Sequence, residues 1–292
     1  MADGPPSRLR GGVSLYRRVM NSAAIGAAAL AALLVLVPLF LIIGFLGLQG
    51  IGSVNWEFLS QTPKPVGEEG GGMANAIVGS FMILGVASAI GIPLGVAGGI
   101  YLSEYGRNRL GDFIRFVADV LNGVPSIVIG IAVYGLVVVP QKHFSALAGG
   151  VALGIMMIPI IVRATEAMLR MVPDTIREAA LALGIPQWRT TLWVTLRTAT
   201  SGVITGIMLA FARVAGETAP LLFTAFGNQY WNLRLGEPTA ALPLQVYAYA
   251  ISPYAEWHRQ AWAGALVMIA IIIGTVAVVR VATRRGMAKG SI

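Results

Sequence analysis

Six long runs of apolar residues, separated by polar segments, dominate the pattern along the 292-residue chain. Each run is close to or longer than the roughly 20 residues that an α-helix needs to cross a bilayer. The pattern therefore predicts an all-α, polytopic helical bundle with six transmembrane helices. The predicted spans are Ala23–Leu48, Ala74–Leu102, Phe116–Val139, Ala146–Arg163, Ser201–Phe226 and Ala261–Val281.

These spans form one transmembrane domain, residues 23–285, between an N-terminal tail (1–22) and a C-terminal tail (286–292). Two segments on the outer side stand apart from the short connections. Residues 49–73 are rich in glycine and proline, which predicts an irregular surface loop. Residues 227–259 are rich in Tyr and Trp, which favour membrane interfaces. The alternatives for this second segment are a docking surface or an outer gate.

Composition agrees with a membrane protein. Hydrophobic residues make up 56% of the chain and charged residues 12%, with a mean hydropathy of +0.75. Soluble domains carry about 25% charged residues. The chain has no cysteine, which excludes a disulfide framework, a thiolate nucleophile and a Cys-based metal site. The two histidines, His143 and His258, lie near predicted membrane edges and argue against a metal centre.

The net charge of +8 would suit nucleic-acid binding, but its distribution indicates a membrane protein instead. Only Lys64, Lys142, Arg234 and Arg259 fall in outer segments, and the other basic residues outside the spans fall in inner ones. Lys and Arg are enriched in cytoplasmic loops. We therefore expect a multi-pass protein of the inner (plasma) membrane with both termini in the cytoplasm. The first span is too long for a signal-peptide core, so it is predicted to stay as an anchor.

Two ionisable residues, Arg213 and Glu217, lie inside the fifth predicted span. A charge at that depth costs about 2.5–3.5 kcal/mol on insertion scales, so such residues mark functional sites. On one continuous helix, residues four apart lie one above the other on a single face. We expect both side chains to point into one polar cavity.

Small residues recur every fourth position in the second span, at Gly91, Gly95 and Gly99. A ladder of this kind lets another helix approach closely. It predicts tight packing within one bundle. A helix interface that moves, with a kink at Pro93, is the alternative.

The inner segment 170–197 is predicted to contain a helix of about ten residues outside the bilayer. Asp174 suits its first turn, and Gly184 ends it. One apolar stripe on this helix predicts that it docks into the groove of a partner. The alternative is an amphipathic helix that lies on the lipid surface. The stripe consists of Ile176, Ala180 and Leu183.

The residues of this segment resemble a known motif. Glu178-Ala179-Ala180, with Gly184 four residues later and a hydrophobic-x-Leu ending at Leu196, is similar to the EAA loop of ABC-importer permeases. The resemblance implies that the helix couples to an ATPase subunit through Glu178, Ala179, Ala180 and Gly184. The general pattern ends in Leu-Pro, whereas Arg197 occupies the proline position here.

That departure and the stretch 212–225 resemble one branch of these permeases, the PstA family of phosphate ABC transporters. The resemblance covers roughly residues 62–285. It implies the type I importer permease fold, a second PstC-like permease, two PstB-like ATPase subunits and a PstS-like phosphate-binding protein. The chain would then be a non-catalytic subunit that forms half of the translocation pathway. It would bind no cofactor itself, and the partner ATPase subunit would bind ATP.

Phosphate chemistry suggests roles for the charges in the membrane. The planar fork of Arg213 matches a phosphate bidentately, so Arg213 is our first candidate for a transient phosphate contact. Glu217 either neutralises Arg213 or accepts a hydrogen bond from a protonated phosphate oxygen, which sulfate lacks at neutral pH. Thr218 adjoins this pair and is expected to line the substrate pathway with it. Asp119 and Asn122 are expected to line the same pathway, although Asp119 could instead be a cap at the inner edge.

Other functions stay open on the sequence alone. An ABC permease for sulfate or molybdate is the nearest alternative, and a gradient-driven transporter is a more distant one. No G-x-x-x-x-G-K-[ST] run occurs, so no ATP-binding loop is present in the chain. The energy for ATP-driven import must therefore come from another chain.

Overall fold

The computed structural model describes residues 15–66, 68 and 70–289, with side chains up to residue 283. The outermost parts of both predicted tails, including Arg8 and Arg10 of the charge pattern, lie outside the described residues. The side chains of Arg284, Arg285 and Lys289 lie outside them too. The chain divides into two compact units, Met1–Leu48 and Gln49–Ile292.

The described residues are helical, with turns and loops between the helices and one isolated bridge between Phe226 and Thr239. The all-α prediction is confirmed. Two π-helical segments, Tyr134–Val138 and Thr190–Thr195, continue neighbouring helices. The α-helices are α1 (Leu15–Gly50), α2 (Trp56–Ser60), α3 (Ala74–Glu104), α4 (Arg109–Gly123), α5 (Ser126–Val133), α6 (Val139–Gln141), α7 (Ala146–Arg170), α8 (Asp174–Ala182), α9 (Gln187–Arg189), α10 (Leu196–Ala215), α11 (Ala219–Thr224), α12 (Leu242–Ala250) and α13 (Ala255–Lys289).

Five helical segments of the described chain are long and apolar enough to cross a membrane, and a bent pair of helices brings the total to six. The six spans predicted from the sequence are thus confirmed in number, with one of them broken. The continuous segments are Leu15–Ser53, Ala74–Glu104, Ala146–Arg170, Gln187–Ala215 and Ala255–Thr283. The fourth predicted span, Ala146–Arg163, therefore continues to Arg170.

The third predicted span is not one straight helix. α4 and the segment Ser126–Gln141 meet at an angle of 105°. The bend lies at Val124-Pro125, where Val124 is extended with φ −70° and ψ 131°. A residue before proline is kept out of the helical region by the proline ring, so α4 ends there.

The fifth predicted span, Ser201–Phe226, also contains a break and begins earlier than expected. α10 ends at Ala215, and α11 begins only at Ala219. Pro220 explains the break, because it has no N–H to donate and its ring would clash with the carbonyl of Gly216 in a continuous helix. Pro220 is the sequence signal of this break, which the length of the apolar run does not show.

The glycine ladder packs α3 tightly against α7, as predicted. A Cβ atom built at Gly91 would lie 2.8 Å from the Cβ of Met157, and one at Gly95 would lie 2.6 Å from the Cβ of Ile161. Such separations leave room only for hydrogen at these positions. Gly99 meets Thr165 in the same register. The alternative of a moving interface with a kink at Pro93 stays a prediction.

α7 lies at the centre of the second unit and also packs against α10. Gly202 of α10 meets Met168, and Gly206 meets Ala164, so the two helices run antiparallel in a regular register. α7 is the most deeply buried of the candidate spans. The end of the unit near the last turn of α7 also carries α8, and we name it the α8 end.

The outer segment 49–73 is more ordered than the predicted irregular loop, because it contains α2. The carboxylate of Glu57 in α2 accepts a hydrogen bond from the backbone N–H of Gly71 at 3.1 Å. It also pairs with Nζ of Lys64 at 3.3 Å. The hydrogen bond from Gly71 and then the nearby Lys64 lower the pKa of Glu57. The other outer segment, 227–259, contains α12 and the first turn of α13, and its function stays a prediction.

Candidate functional site

Arg213 lies in the last turn of α10, on the exposed side of the helix, while its neighbour Val214 is buried. Gly206 of α10 contacts Ala164 of α7, and the two helices run antiparallel. Arg213 follows Gly206 by seven residues, so it lies near the level of Met157, which precedes Ala164 by seven residues and is about halfway along α7. Within the described part of the chain, no carboxylate lies within ion-pair distance of Arg213. The guanidinium is therefore open to a group from outside this chain.

Glu217 does not lie above Arg213 on one helix, and this part of the sequence interpretation is wrong. It lies in the break between α10 and α11, where its backbone N–H donates to the carbonyl of Val214 at 3.1 Å. The two side chains form no ion pair with each other among the described residues, contrary to the neutralisation alternative. Because the helix is broken at Gly216, the four-residue spacing no longer places both groups on one face.

Thr218 occupies the same break and connects it to α12. Its hydroxyl donates to the carbonyl oxygen of Pro243 at 3.4 Å. Its own carbonyl accepts the N–H groups of Leu221 and Leu222 at the start of α11. The side chain of Thr218 therefore contacts α12, and its backbone carbonyl accepts the first N–H groups of α11.

Asp119 and Asn122 lie on α4, before the bend at Pro125. Asp119 is not a helix cap at the inner edge, because Asn108 caps α4. It pairs instead with Arg163 of α7, with 3.0 Å between its Oδ1 and Nε of Arg163. Both partners are partly exposed, 56% for Asp119 and 40% for Arg163. Asn122 is half-buried one turn further along α4.

A buried carboxylate that the sequence interpretation missed, Glu166, lies one turn further along α7 from this pair. Its side chain is only 4% exposed, and three arginines surround it. Arg115 donates to Oε1 at 2.7 Å, Arg170 to Oε1 at 2.8 Å and Arg163 to Oε2 at 3.0 Å. The spacing Arg163-x-x-Glu166-x-x-x-Arg170 signals two of these pairs, because residues three and four apart share a helix face. Arg115 is distant in sequence, so only the fold reveals that pair.

The inner helix predicted from Asp174 to Gly184 is present as α8. Glu178 and Ala179 are exposed on it, whereas Ala180 is 6% exposed and faces its own bundle. The predicted docking stripe is therefore wrong at Ala180. The reason is that Ala180 packs beside the π-helical segment before α10, which the pattern of a single helix does not show.

Gly184 ends α8 with a left-handed backbone, φ +77°. Its N–H donates to the carbonyl of Leu181 at 2.9 Å. An L-residue in place of glycine in this conformation costs roughly 1–2 kcal/mol. Leu183, beside it, is 81% exposed. The exposed surface of α8 and the turn after it consists of Asp174, Thr175, Ile176, Glu178, Ala179, Leu181, Ala182, Leu183 and Gly184.

Comparison with known proteins identifies the family. Residues 91–286 match the family described as "Binding-protein-dependent transport system inner membrane component". The chain is 47% identical to the "Phosphate transport system permease protein PstA" of Yersinia pestis over 226 residues, 77% of each chain. It is 44% identical to the protein of the same name in Haemophilus influenzae over 260 residues, 88% of this chain and 92% of that one. This chain belongs to the PstA permease family.

Structural similarity agrees with the PstA assignment. A chain of the MetNI methionine ABC transporter in an inward-facing conformation matches with a TM-score of 0.55. The match covers 75% of this chain and 94% of that chain, at 18% sequence identity. At this identity the similarity supports the fold alone, which is that of a type I ABC-importer permease. The chain is accordingly a multi-pass protein of the inner membrane.

The charged residues at the candidate sites of this PstA-family chain include several arginines. Within the described part of the chain, no group of three or more His, Cys, Asp or Glu side chains could hold a metal ion. Arginine is the recurrent side chain, at positions 115, 163, 170 and 213. Guanidinium groups bind phosphate and carboxylate oxygens through paired N–H donors.

Proposed function

We propose that the chain is one of two membrane permease subunits of an ATP-driven importer of inorganic phosphate. It forms half of the translocation pathway and couples to a cytoplasmic ATPase. The family supports this, because relatives 44–47% identical over most of the chain carry the name of a phosphate transport system permease. The family match also favours phosphate over sulfate or molybdate and an ATP-driven system over a gradient-driven one.

Arg213 is the observation that carries the proposal. An unpaired cation at the level of the middle of α7 is expensive when it faces lipid, by about 2.5–3.5 kcal/mol on insertion scales. On the exposed side of α10, Arg213 therefore faces a cavity or a partner subunit rather than lipid. A pathway completed by a second PstC-like permease gives it such a cavity. A single transient contact lowers the barrier for phosphate without holding it tightly.

The breaks beside the candidate residues fit a pathway. Irregular backbone at membrane depth is tolerated only where it is buried in protein or lines a water-filled cavity. Glu217 and Thr218 lie in one break, and Asn122 lies just before the bend at Pro125. Asp119 acts in this pathway through Arg163, whose Nε lies 3.0 Å from Oδ1 of Asp119.

The ATPase and the phosphate-binding protein are separate partners in this proposal. The chain contains no phosphate-binding loop for ATP, so it needs no cofactor of its own, and two PstB-like subunits bind ATP. The exposed side of α8, with Glu178 and Ala179, docks on one of these subunits. A PstS-like protein delivers phosphate at the opposite end. Both termini then lie in the cytoplasm, as the distribution of basic residues predicts.

Reconstitution of the complete complex tests the function directly. We expect proteoliposomes that contain the four kinds of subunit to accumulate labelled phosphate only when ATP reaches the ATPase side. Uptake should persist after the proton gradient is collapsed with an uncoupler. Uptake that ceases with the gradient and ignores ATP would overturn the proposal, and preferential uptake of sulfate or molybdate would replace its substrate.

The two adjacent alanines of α8 are expected to respond differently to a charge. Ala179→Asp places a carboxylate on the exposed docking side, so we expect uptake to fall roughly tenfold as an unpaired charge enters an interface. Ala180→Asp places it inside the chain's own bundle, so its main effect is a lower yield of folded subunit. Uptake, ATP hydrolysis and subunit yield are measured side by side. Full uptake by an assembled Ala179→Asp complex would contradict docking through this side of α8.

Glu217→Gln tests whether this carboxylate reads the proton on phosphate. The variant keeps the size of the side chain, removes its negative charge and adds an N–H donor. We expect it to discriminate less against sulfate, whose oxygens carry no proton at neutral pH. The ratio of phosphate flux to sulfate flux is measured in a complex that transports without its binding protein. Equal ratios in wild type and variant, at matched protein levels, leave Glu217 with a structural function only.

A further inference from the structure

Arg177 ties α8 to two other helices at the α8 end. Its Nη2 donates to the carboxylate of Glu104, the last residue of α3, at 3.2 Å and to the carbonyl of Leu169 in α7 at 2.7 Å. Its Nη1 donates to the carbonyl of Val172 at 3.0 Å and to Asp174 at 2.8 Å. The side chains of Arg177 and Glu104 are only 18% and 7% exposed. The contact is therefore a nearly buried link rather than a surface ion pair.

Arg115 makes the same kind of link from α4. Its Nη2 donates to the carbonyl of Leu102 in the last turn of α3 at 3.0 Å. Its Nε donates to the buried Glu166 of α7 at 2.7 Å, and its Nη1 to Asp112 at 2.9 Å. Arg115 is 19% exposed. Two arginines, one from α8 and one from α4, thus bind the same ends of the same two helices.

The shared ends belong to a rigid pair. α3 and α7 are locked together through Gly91, Gly95 and Gly99, which leave no free space between the helices. Close-packed elements of this kind move as bodies instead of deforming. A displacement of α8 therefore carries the α3–α7 ends with it through Arg177. Those ends in turn carry α4 through Arg115.

We propose that Arg177 and Arg115 are positioning residues that transmit the displacement of α8 to α4, and so to Asp119 and Asn122 of the pathway. The inference rests on the proposed function, since it assigns these residues to the coupling of ATP hydrolysis with transport. Each guanidinium binds a carboxylate and a backbone carbonyl at the same time, on different helices. Lysine has no planar fork and cannot reproduce this geometry.

Coupling is measured as phosphate taken up per ATP hydrolysed by the complete complex in proteoliposomes. We expect Arg177→Lys and Arg115→Lys to lower this ratio about fivefold, with ATP hydrolysis largely retained. Arg107→Lys is the matched control, because Arg107 lines the same polar cavity as Arg177 but is exposed. An unchanged ratio in either assembled variant overturns the role of that residue. If neither Arg177→Lys nor Glu104→Gln assembles, the link serves assembly and the coupling role is wrong.

A distance measurement tests the link without any dependence on substrate. The chain has no cysteine, so cysteines introduced at Leu181 of α8 and Phe113 of α4 can be spin-labelled specifically. Both positions are exposed. In the wild-type background we expect the same distance between the labels with and without ATP. In Arg177→Lys the distance should change with ATP. A change in wild type, or none in the variant, overturns the inference, whereas failure of ATP-driven phosphate uptake by wild type overturns only the proposed function.

Discussion

Arg213→Lys is expected to lower phosphate uptake by the assembled importer about tenfold or more, equivalent to about 1.4 kcal/mol or more. The variant keeps a positive charge but loses the planar fork that binds two phosphate oxygens at once. Arg213 is exposed on α10 at the level of the middle of α7. It has no ion pair within the described chain, so its N–H donors are available to an anion. The measurement is the initial rate of labelled phosphate uptake by proteoliposomes at matched amounts of complex.

Two further variants define what this result means. Arg213→Ala removes the cation altogether and is expected to fail at least as severely. Arg197→Lys is the matched control, because Arg197 is an exposed arginine on the same helix at the α8 end. Wild-type uptake by Arg213→Lys would reduce the residue to a general positive charge. Wild-type uptake by Arg213→Ala would remove it from the pathway.

Gly95→Leu is expected to abolish the folded subunit. A Cβ at this position would lie 2.6 Å from the Cβ of Ile161 and 2.7 Å from its Cγ2, so α3 and α7 would have to separate along their length. Overpacking a core costs about 1–3 kcal/mol and occasionally more, and this substitution adds a whole side chain where no space exists. The measurement is the amount of subunit in the membrane and the thermal stability of the purified complex.

The matched control for Gly95→Leu lies on the same helix. Gly85 has no atom within 4 Å of a Cβ built on it and is exposed. Gly85→Leu is therefore expected to leave yield and thermal stability close to wild type, since leucine is also a better helix former than glycine. Equal losses in both variants would mean that the α3–α7 contact is looser than the structure has it.

Both groups of candidate pathway residues lie beside a proline that interrupts a span. Pro125 bends the helix after Asp119 and Asn122, and Pro220 follows the break that holds Glu217. At Pro220 the interruption takes Glu217 off the regular face of α10, whereas Asp119 and Asn122 stay within α4, before the bend. Arg213 lies in the last turn of α10, before the break at Gly216. A pathway between two subunits thus gains its polar surface from helix ends as well as from helix faces.

The network around Glu166 shows how far sequence spacing reaches. Arg163, Glu166 and Arg170 could be paired from their spacing on one helix. The partners Arg115 and Asp119 come from α4, and Arg163 binds Asp119 at 3.0 Å. Asp119 considered alone has two readings, a cavity group or a cap. Its position inside α4, whose N-cap is Asn108, excludes the cap.

The sequence by itself determined the class, the number of spans, the tight face of α3 and the presence of α8. These features depend on hydropathy and on local spacing, and at Gly184 on a left-handed backbone that marks the end of α8. Hydropathy did not reveal the break before Glu217, although Pro220 is its local cause. Tertiary structure alone decided the inward direction of Ala180 and the links made by Arg115 and Arg177. A proline break leaves hydropathy unchanged, and a contact between helices depends on how they pack. The hydrophobic periodicity of a single helix predicts neither the break nor the contacts between helices.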